Sequence, residues 1–306
     1  MANDKMTAQM ATKGGFIAAL DQSGGSTPGA LLLYGISDSA YKDKGEAEMF
    51  RLMHEMRVRI ISAPAFKGDK VIAAILFERT MDGQAHGKSV PTYLWDERGV
   101  VPFLKVDKGL DAEQDGVQLM KPMGDLSPLL KRAVKLGVFG TKMRSVINHA
   151  SKEGVAAIAR QQFAVGAEIA QHDLMPILEP EVSIKAPDKK AAEAMLLDEL
   201  RKGLDGLPPS RKVMFKLTLP DDPDLYMPLI KDERVLRVVA LSGGYTRADA
   251  CKRLAANHGM IASFSRALVQ DLRVTMSDAE FNQALKESID EIFQASTVKA
   301  DAKVSA

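Results

Sequence analysis

The chain is poor in the residues that staple or metallate small folds. It has one cysteine in 306 residues, Cys251, so an internal disulfide and a multi-cysteine metal site are both excluded. The five histidines, His54, His86, His149, His172 and His258, fall without metal-ligand spacing. No stretch approaches the roughly 18 apolar residues of a membrane span. Residues 1–5, MANDK, lack the apolar core of a signal peptide. The net charge of +1 gives no electrostatic case for nucleic acid or an anionic membrane surface. The expectation is a cytoplasmic protein acting on small molecules, with homo-oligomerisation left open.

Apolar residues are plentiful, at 46%, enough for a sizeable core. Short β-leaning runs recur, centred near Ala18, Ala74, Leu104, Lys142, Leu178, Lys216, Val239 and Ala262. Several are apolar throughout, as expected of strands covered on both faces. Helical patterns fall between them. Met49, Leu52, Met53 and Met56 share a helical face. Ser127 with Pro128 starts a helix that Gly137 is placed to end, Asp188 is placed to cap the alanine-rich stretch through Leu200, and Thr246 and Ser277 each begin a cap. Strand followed by helix, about eight times without a linker, predicts a single-domain (β/α)₈ barrel over residues 1–298. The stretch from Asp21 to Val71 exceeds one crossover and predicts an extra loop and helix. Trp95 is expected in a polar loop, and residues 299–306 as a small polar tail with the composition of a disordered segment.

Four of the runs carry or end on charge: 16–21 (FIAALD), 139–144 (FGTKMR), 176–181 (PILEPE) and 213–219 (VMFKLTL). An isolated buried charge costs more than one side chain's packing returns. Charges at the carboxyl ends of buried parallel strands therefore point to a shared polar site, where barrels of this type build active sites. Strand 1 contributes Asp21; strand 3, Lys105 and Asp107; strand 4, Lys142 and Arg144; strand 5, Glu179 and Glu181; strand 6, Lys216. Strand 7 runs into Ser242, Gly243 and Gly244, and strand 8 into Ser265 and Arg266. Glycines before a helix and an arginine on the next strand suit a phosphate.

Lys216 stands in the middle of an apolar run. A lysine in an apolar wall beside a second cation, for which Lys142 is the candidate, loses proton affinity. It then becomes a nucleophile toward carbonyls and a Schiff-base former. Glu179 could shuttle protons during loss of water and carbon–carbon cleavage. Read without its neighbours, Lys216 is equally a strand-end lysine that snorkels or pairs with a carboxylate.

Taken in order, Asp21-Gln-Ser-Gly-Gly-Ser26, Ile75-Leu-Phe77, Lys105-Val-Asp-Lys-Gly109, Lys142-Met-Arg144, Pro176-Ile-Leu-Glu-Pro-Glu181, Phe215-Lys216, Leu241-Ser-Gly-Gly244 and Ser263-Phe-Ser-Arg-Ala-Leu268 resemble the class I fructose-bisphosphate aldolases, in their shorter bacterial form. The resemblance runs from about Gly14 to Leu268. It implies a barrel enzyme that needs no metal and no cofactor, with Lys216 as Schiff-base lysine. It implies Glu179 as acid/base and Asp21, Lys142 and Glu181 around the reacting carbons. It also implies Ser242, Gly243 and Arg266 at the ketone's phosphate and Lys105 near the other phosphate. The larger relatives carry a basic pair in the first loop for that second phosphate; this chain has Gly29-Ala30 there, leaving Lys105 and the Ser23–Ser26 loop. Nor does it end on the tyrosine of the larger forms. Two further readings stay open: a Schiff-base aldolase for a sugar monophosphate, and a metal-dependent barrel isomerase with Asp21, Glu179 and Glu181 as oxygen ligands.

Overall fold

The structure is a computed structural model and describes residues 2–301. Eight parallel strands form its centre: β1 (Phe16–Leu20), β2 (Val71–Leu76), β3 (Val101–Lys105), β4 (Gly140–Ile147), β5 (Met175–Val182), β6 (Val213–Thr218), β7 (Val235–Leu241) and β8 (Ile261–Phe264). Each pairs with its neighbour in order, and β8 returns to β1, closing a (β/α)₈ barrel. Every one of the eight apolar centres falls inside a strand.

The strands alternate sharply although their sequences hardly do. Side chains of successive strand residues point to opposite faces. Leu20, Leu76, Leu104, Met143, Leu178, Phe215, Leu217 and Phe264 face outward and pack under the surrounding helices. Ile17, Ala19, Ala73, Ile75, Val101, Phe103, Ile177, Met214 and Val239 face inward and fill the lower barrel. Both sets are apolar because both faces are covered. On four strands a charge stands two residues above the uppermost inward apolar side chain: Ala19 leads to Asp21, Phe103 to Lys105, Ile177 to Glu179 and Met214 to Lys216. The polar layer therefore follows from strand parity.

The floor is closed by α1 (Ala2–Thr12), which the sequence patterning did not reveal. Met6 and Met10 join the inward apolar cluster, and Gln9 Nε2 donates to the Ile72 and Gly99 carbonyls at 2.8 Å each. The crossovers are α2 (Glu46–Ser62), α3 (Val90–Arg98), α4 (Ser127–Lys135), α5 (Lys152–Ala170), α6 (Lys189–Asp205), α7 (Met227–Ile230) and α8 (Arg247–Ala255), with α9 (Asp278–Thr297) after β8. The extra helix expected before Val71 is present at Thr27–Tyr34. Met49, Met53 and Met56 are buried on α2, as their spacing predicts.

Several local expectations need correction. Trp95 lies within α3, not in a loop, and packs beside the inward cluster. The cap of α4 is Leu126, with Ser127 as its first residue. Asp188 occupies the cap position of α6, but its side chain instead accepts from the Ala150 amide at 3.0 Å, tying that helix to the β4 exit. Ser277 and Thr246 do cap: Ser277 forms a capping box with Glu280, and Thr246 accepts from the Asp249 amide. In the expected tail, Lys299 Nζ donates to the carbonyls of Leu254, Met260 and Ala295. The last five positions, 302–306, lie outside the described residues.

Gly140 opens β4 two residues before Lys142. A Cβ there would lie 2.2 Å from the Met175 carbonyl oxygen and 2.7 Å from the Phe103 ring. Neither backbone nor ring can step aside cheaply in a closed barrel. Gly140→Ala is expected to destabilise the protein by about 1–3 kcal/mol through overpacking, read from the denaturant midpoint. An unchanged midpoint would show that β4 is not pinned at its start.

Candidate active site

At the carboxyl end of the barrel, Lys142 gathers the charges. Its ammonium, on a side chain only 3% exposed, lies 2.6 Å from Asp21 Oδ2, 2.9 Å from Glu179 Oε2 and 4.0 Å from Asp107 Oδ2. The second oxygen of Glu179 is 3.0 Å from Lys216 Nζ, whose side chain is 5% exposed. The charges alternate: Asp21, Lys142, Glu179, Lys216. Four separate strands or strand ends supply these four, and Asp107 comes from a fifth. The β4–β5 register sets Arg144 opposite Glu179, and Lys105 stands opposite Lys142 on β3.

Burial alone would raise the Asp21 carboxyl. Lys142 first, then Lys216 and Lys105, hold it instead well below the usual carboxylate range. Burial likewise works against the Lys142 ammonium, but Asp21, Glu179 and Asp107 outweigh it and raise that group above the ordinary lysine range. Lys142 is joined to Lys216 through the two oxygens of Glu179 and is itself matched by two carboxylates, Asp21 and Glu179. Glu181, half-buried, pairs with Arg144 Nε at the rim. Burial would lower the Arg144 guanidinium, and Glu181 more than offsets this.

Across the mouth, Leu241 ends β7 and the chain turns through Ser242, Gly243 and Gly244 into α8. Gly243 has φ +59°, and a Cβ there would meet Ile184 at 2.8 Å. Glycine is therefore needed for both conformation and space. Arg266 follows β8, exposed, and Ser265 accepts from Gln22 Nε2 at 2.7 Å, which ties the β1 and β8 exits together. Among the described residues, neither the Ser242 hydroxyl nor the Arg266 guanidinium has a protein partner. Ser23 and Ser26 lie in the turn after β1, where the Ser26 hydroxyl is occupied by the Ser23 amide and carbonyl at 3.0 and 2.9 Å. Lys105 folds back onto Asp107.

Sequence reasoning left two participants without a role. Asp107, named only as a strand-end charge, is 7% exposed; its carboxylate accepts from the Gly109 and Arg144 amides and faces the Lys105 and Lys142 ammonium groups. Arg57 is 1% exposed on α2 and donates to Thr80 Oγ1 at 2.7 Å and to the Gln22 carbonyl, beneath the β1 exit. Burial pushes its guanidinium down to about 10, opposed by the negative charge of Asp21. A lone arginine on a methionine-rich helical stripe was the available signal.

Removing one partner of a buried ion pair typically costs about 3–5 kcal/mol. Lys142→Met is expected to cost that much at neutral pH, because Asp21 and Glu179 lose their shared cation. Asp21 has a depressed folded pKa, so its contribution is fully present above its ordinary value near 3.8 and is lost only as pH falls toward the folded value. The gap between wild type and Lys142→Met should therefore be widest near pH 7 and narrow below about pH 4. Denaturant titrations across that range read it; a gap independent of pH would refute the ion-pair account.

The family model described as fructose-bisphosphate aldolase class-I matches residues 5–195. The "Fructose-bisphosphate aldolase class 1" of a Synechocystis strain is 53% identical over 294 residues, covering 96% of this chain and 97% of that protein. That of Porphyromonas gingivalis is 52% identical, covering 96% and 99%. The fold is similar to the fructose-bisphosphate aldolase of Plasmodium falciparum, with a TM-score of 0.75 at 18% identity over 98% and 96% of the two chains. With a barrel, a lysine-centred polar layer and relatives matched end to end, this chain belongs to the class I fructose-bisphosphate aldolases.

Proposed function

We propose that this chain reversibly cleaves fructose 1,6-bisphosphate to dihydroxyacetone phosphate and glyceraldehyde 3-phosphate through an imine on Lys216. The observation that carries this reading is Glu179, buried and shared between Lys216 at 3.0 Å and Lys142 at 2.9 Å. Glu179 takes a proton from the Lys216 ammonium, and the freed amine adds to the C2 ketone. Glu179 returns that proton to the departing hydroxyl, water leaves, and an iminium remains. The C4 hydroxyl then loses its proton as the C3–C4 bond breaks, and the bond's electron pair moves into the iminium to give an enamine. Asp21 is a poor acceptor for that proton, because Lys142 holds its basicity down. Glu179 is left as the proton carrier in both steps, and Asp21 and Lys142 orient the hydroxyl.

The ketone's phosphate is assigned to Ser242, Gly243, Gly244 and Arg266, with Ser265 beside them. The unpaired hydroxyl, the left-handed glycine turn and the free guanidinium support that assignment. Lys105, near the Ser23–Ser26 turn, is assigned to the other phosphate, with Arg144 and Glu181 at the rim. The metal-dependent reading fares worse on the same geometry. Its three ligand carboxylates already face protein cations, Asp21 and Glu179 facing Lys142 and Glu181 facing Arg144. Among the described residues, no group of three or more histidine, cysteine or acidic side chains is arranged for an ion.

Borohydride reduction with dihydroxyacetone phosphate should trap a covalent adduct on Lys216, and Lys216→Met should fold without being trapped. An adduct mapped to Lys142 or Lys105 would overturn the assignment. Activity should survive exhaustive chelation; loss with EDTA and recovery with a divalent ion would restore the metal-dependent reading.

Arg266→Ala removes one charge-assisted contact, worth roughly 1.5–3 kcal/mol. It should lower kcat/KM by about ten- to a hundredfold, without moving the denaturation midpoint, since the side chain is exposed and bonds nothing. Unchanged kinetics would remove the phosphate from this corner.

A further inference from the structure

Asp107 sits just beyond the end of β3, and nearly everything it offers is in use. Its Oδ1 lies 2.7 Å from Lys105 Nζ and accepts from the Gly109 amide at 3.2 Å. Its Oδ2 accepts from the Arg144 amide at 3.2 Å and faces Lys142 Nζ at 4.0 Å. Its backbone carbonyl accepts from Lys105 Nζ at 2.8 Å. The carboxylate side chain is 3% exposed and the Lys105 side chain 11%. An ammonium has three N–H donors. Asp107 accepts one of those from Lys105 through its main-chain carbonyl, and its carboxylate pairs with the same ammonium at 2.7 Å. The ammonium keeps N–H capacity for a further anion. A long, flexible lysine is a poor specificity element until its rotamers are fixed.

We propose that Asp107 is a positioning residue for the phosphate farther from the reacting ketone: it immobilises Lys105 through its carbonyl and carboxylate and leaves N–H capacity on the ammonium for that anion. The proposal rests on the aldolase reading and goes beyond it. It makes preference for the bisphosphate depend on a carboxylate that would repel the phosphate if it stood alone. It also separates two effects of one side chain. Contact with Lys142 bears on chemistry for any substrate, whereas contact with Lys105 bears only on substrates that carry the second phosphate.

The test compares kcat/KM for fructose 1,6-bisphosphate and fructose 1-phosphate in wild type, Asp107→Asn, Lys105→Met and the double variant. Asp107→Asn should lower the bisphosphate-to-monophosphate ratio by about tenfold or more, chiefly through KM for the bisphosphate. Lys105→Met should lower it similarly, and the double variant no further, because the two residues act as one unit. A purely structural role lowers the use of both sugars together and leaves the ratio unchanged, which would overturn the proposal. So would additive losses in the double variant. Asp107→Glu is the second probe should Asp107→Asn fold poorly. It keeps the charge but lengthens the arm, and it should still shift the ratio; an unchanged ratio counts against the proposal. Borohydride trapping with dihydroxyacetone phosphate, which has no second phosphate, should remain on Lys216 in every variant. Its absence from wild type would defeat the aldolase reading itself and take this proposal with it, whereas trapping with an unmoved ratio defeats the proposal alone.

Discussion

One ammonium holds the centre of this barrel together. Lys142 stands within ion-pair distance of Asp21, Glu179 and Asp107, and Glu179 passes the contact on to Lys216. With Lys105 against Asp107, three buried or half-buried cations face three carboxylates. Any one of these charges alone would be prohibitive in a site this dry. Together they come to zero, and each sits beside the opposite sign. Such a cluster is worth less as stabilisation than as a constraint. No member can leave, turn or change protonation without exposing the rest, so the arrangement persists before any ligand arrives.

The apolar barrel beneath makes that constraint possible. Interior side chains below the charges are fixed by packing, and α1 seals the floor with Met6 and Met10. Strand parity converts the packing into placement: a residue two beyond an inward apolar side chain must also point inward. Gly140 admits β5 and Phe103 closely enough for β4 to begin in the right register for Lys142. Thus the exactness of the polar layer originates in the layer that carries no polarity.

This division explains what was legible in the sequence. All eight strand centres could be read, because parallel strands covered on both faces leave short apolar runs that loops do not. The strand-end charges were legible because their cost in such runs has few explanations. Asp107 was harder. It lies two residues past Lys105, among Lys105-Val-Asp-Lys-Gly109, where a carboxylate between two lysines reads equally well as a solvated turn. Its importance comes from Arg144 and Lys142 on the next strand, a pairing that no local spacing records. Arg57 was hidden for the same reason, since its partners Gln22 and Thr80 are remote in sequence. The caps at Ser127 and Asp188 misled in the opposite sense. Both residues carry the right local chemistry, and Asp188 was drawn away by the Ala150 amide, a tertiary partner that outcompeted its own helix.

With Lys216 as the nucleophile, the neutrality of the cluster bears on the order of chemical events. An ammonium at Lys216 and an iminium formed from it carry the same charge at nearly the same place. Glu179 therefore faces a cation both before and after imine formation, and the surrounding groups need not reorganise. The site is organised in advance for the charged intermediate, which is how fixed electrostatics lower a barrier. Cleavage of the C3–C4 bond keeps this balance through a proton transfer. The enamine is neutral, and Glu179 is neutral too once it has taken the C4 hydroxyl proton, so no carboxylate is left facing an empty place. Protonation of the enamine restores the iminium, and loss of the proton from Glu179 restores the carboxylate that faces it. The cluster thus holds its net charge through the cycle because one carboxyl, shared between Lys142 and Lys216, gains and loses a proton as the imine loses and gains its charge.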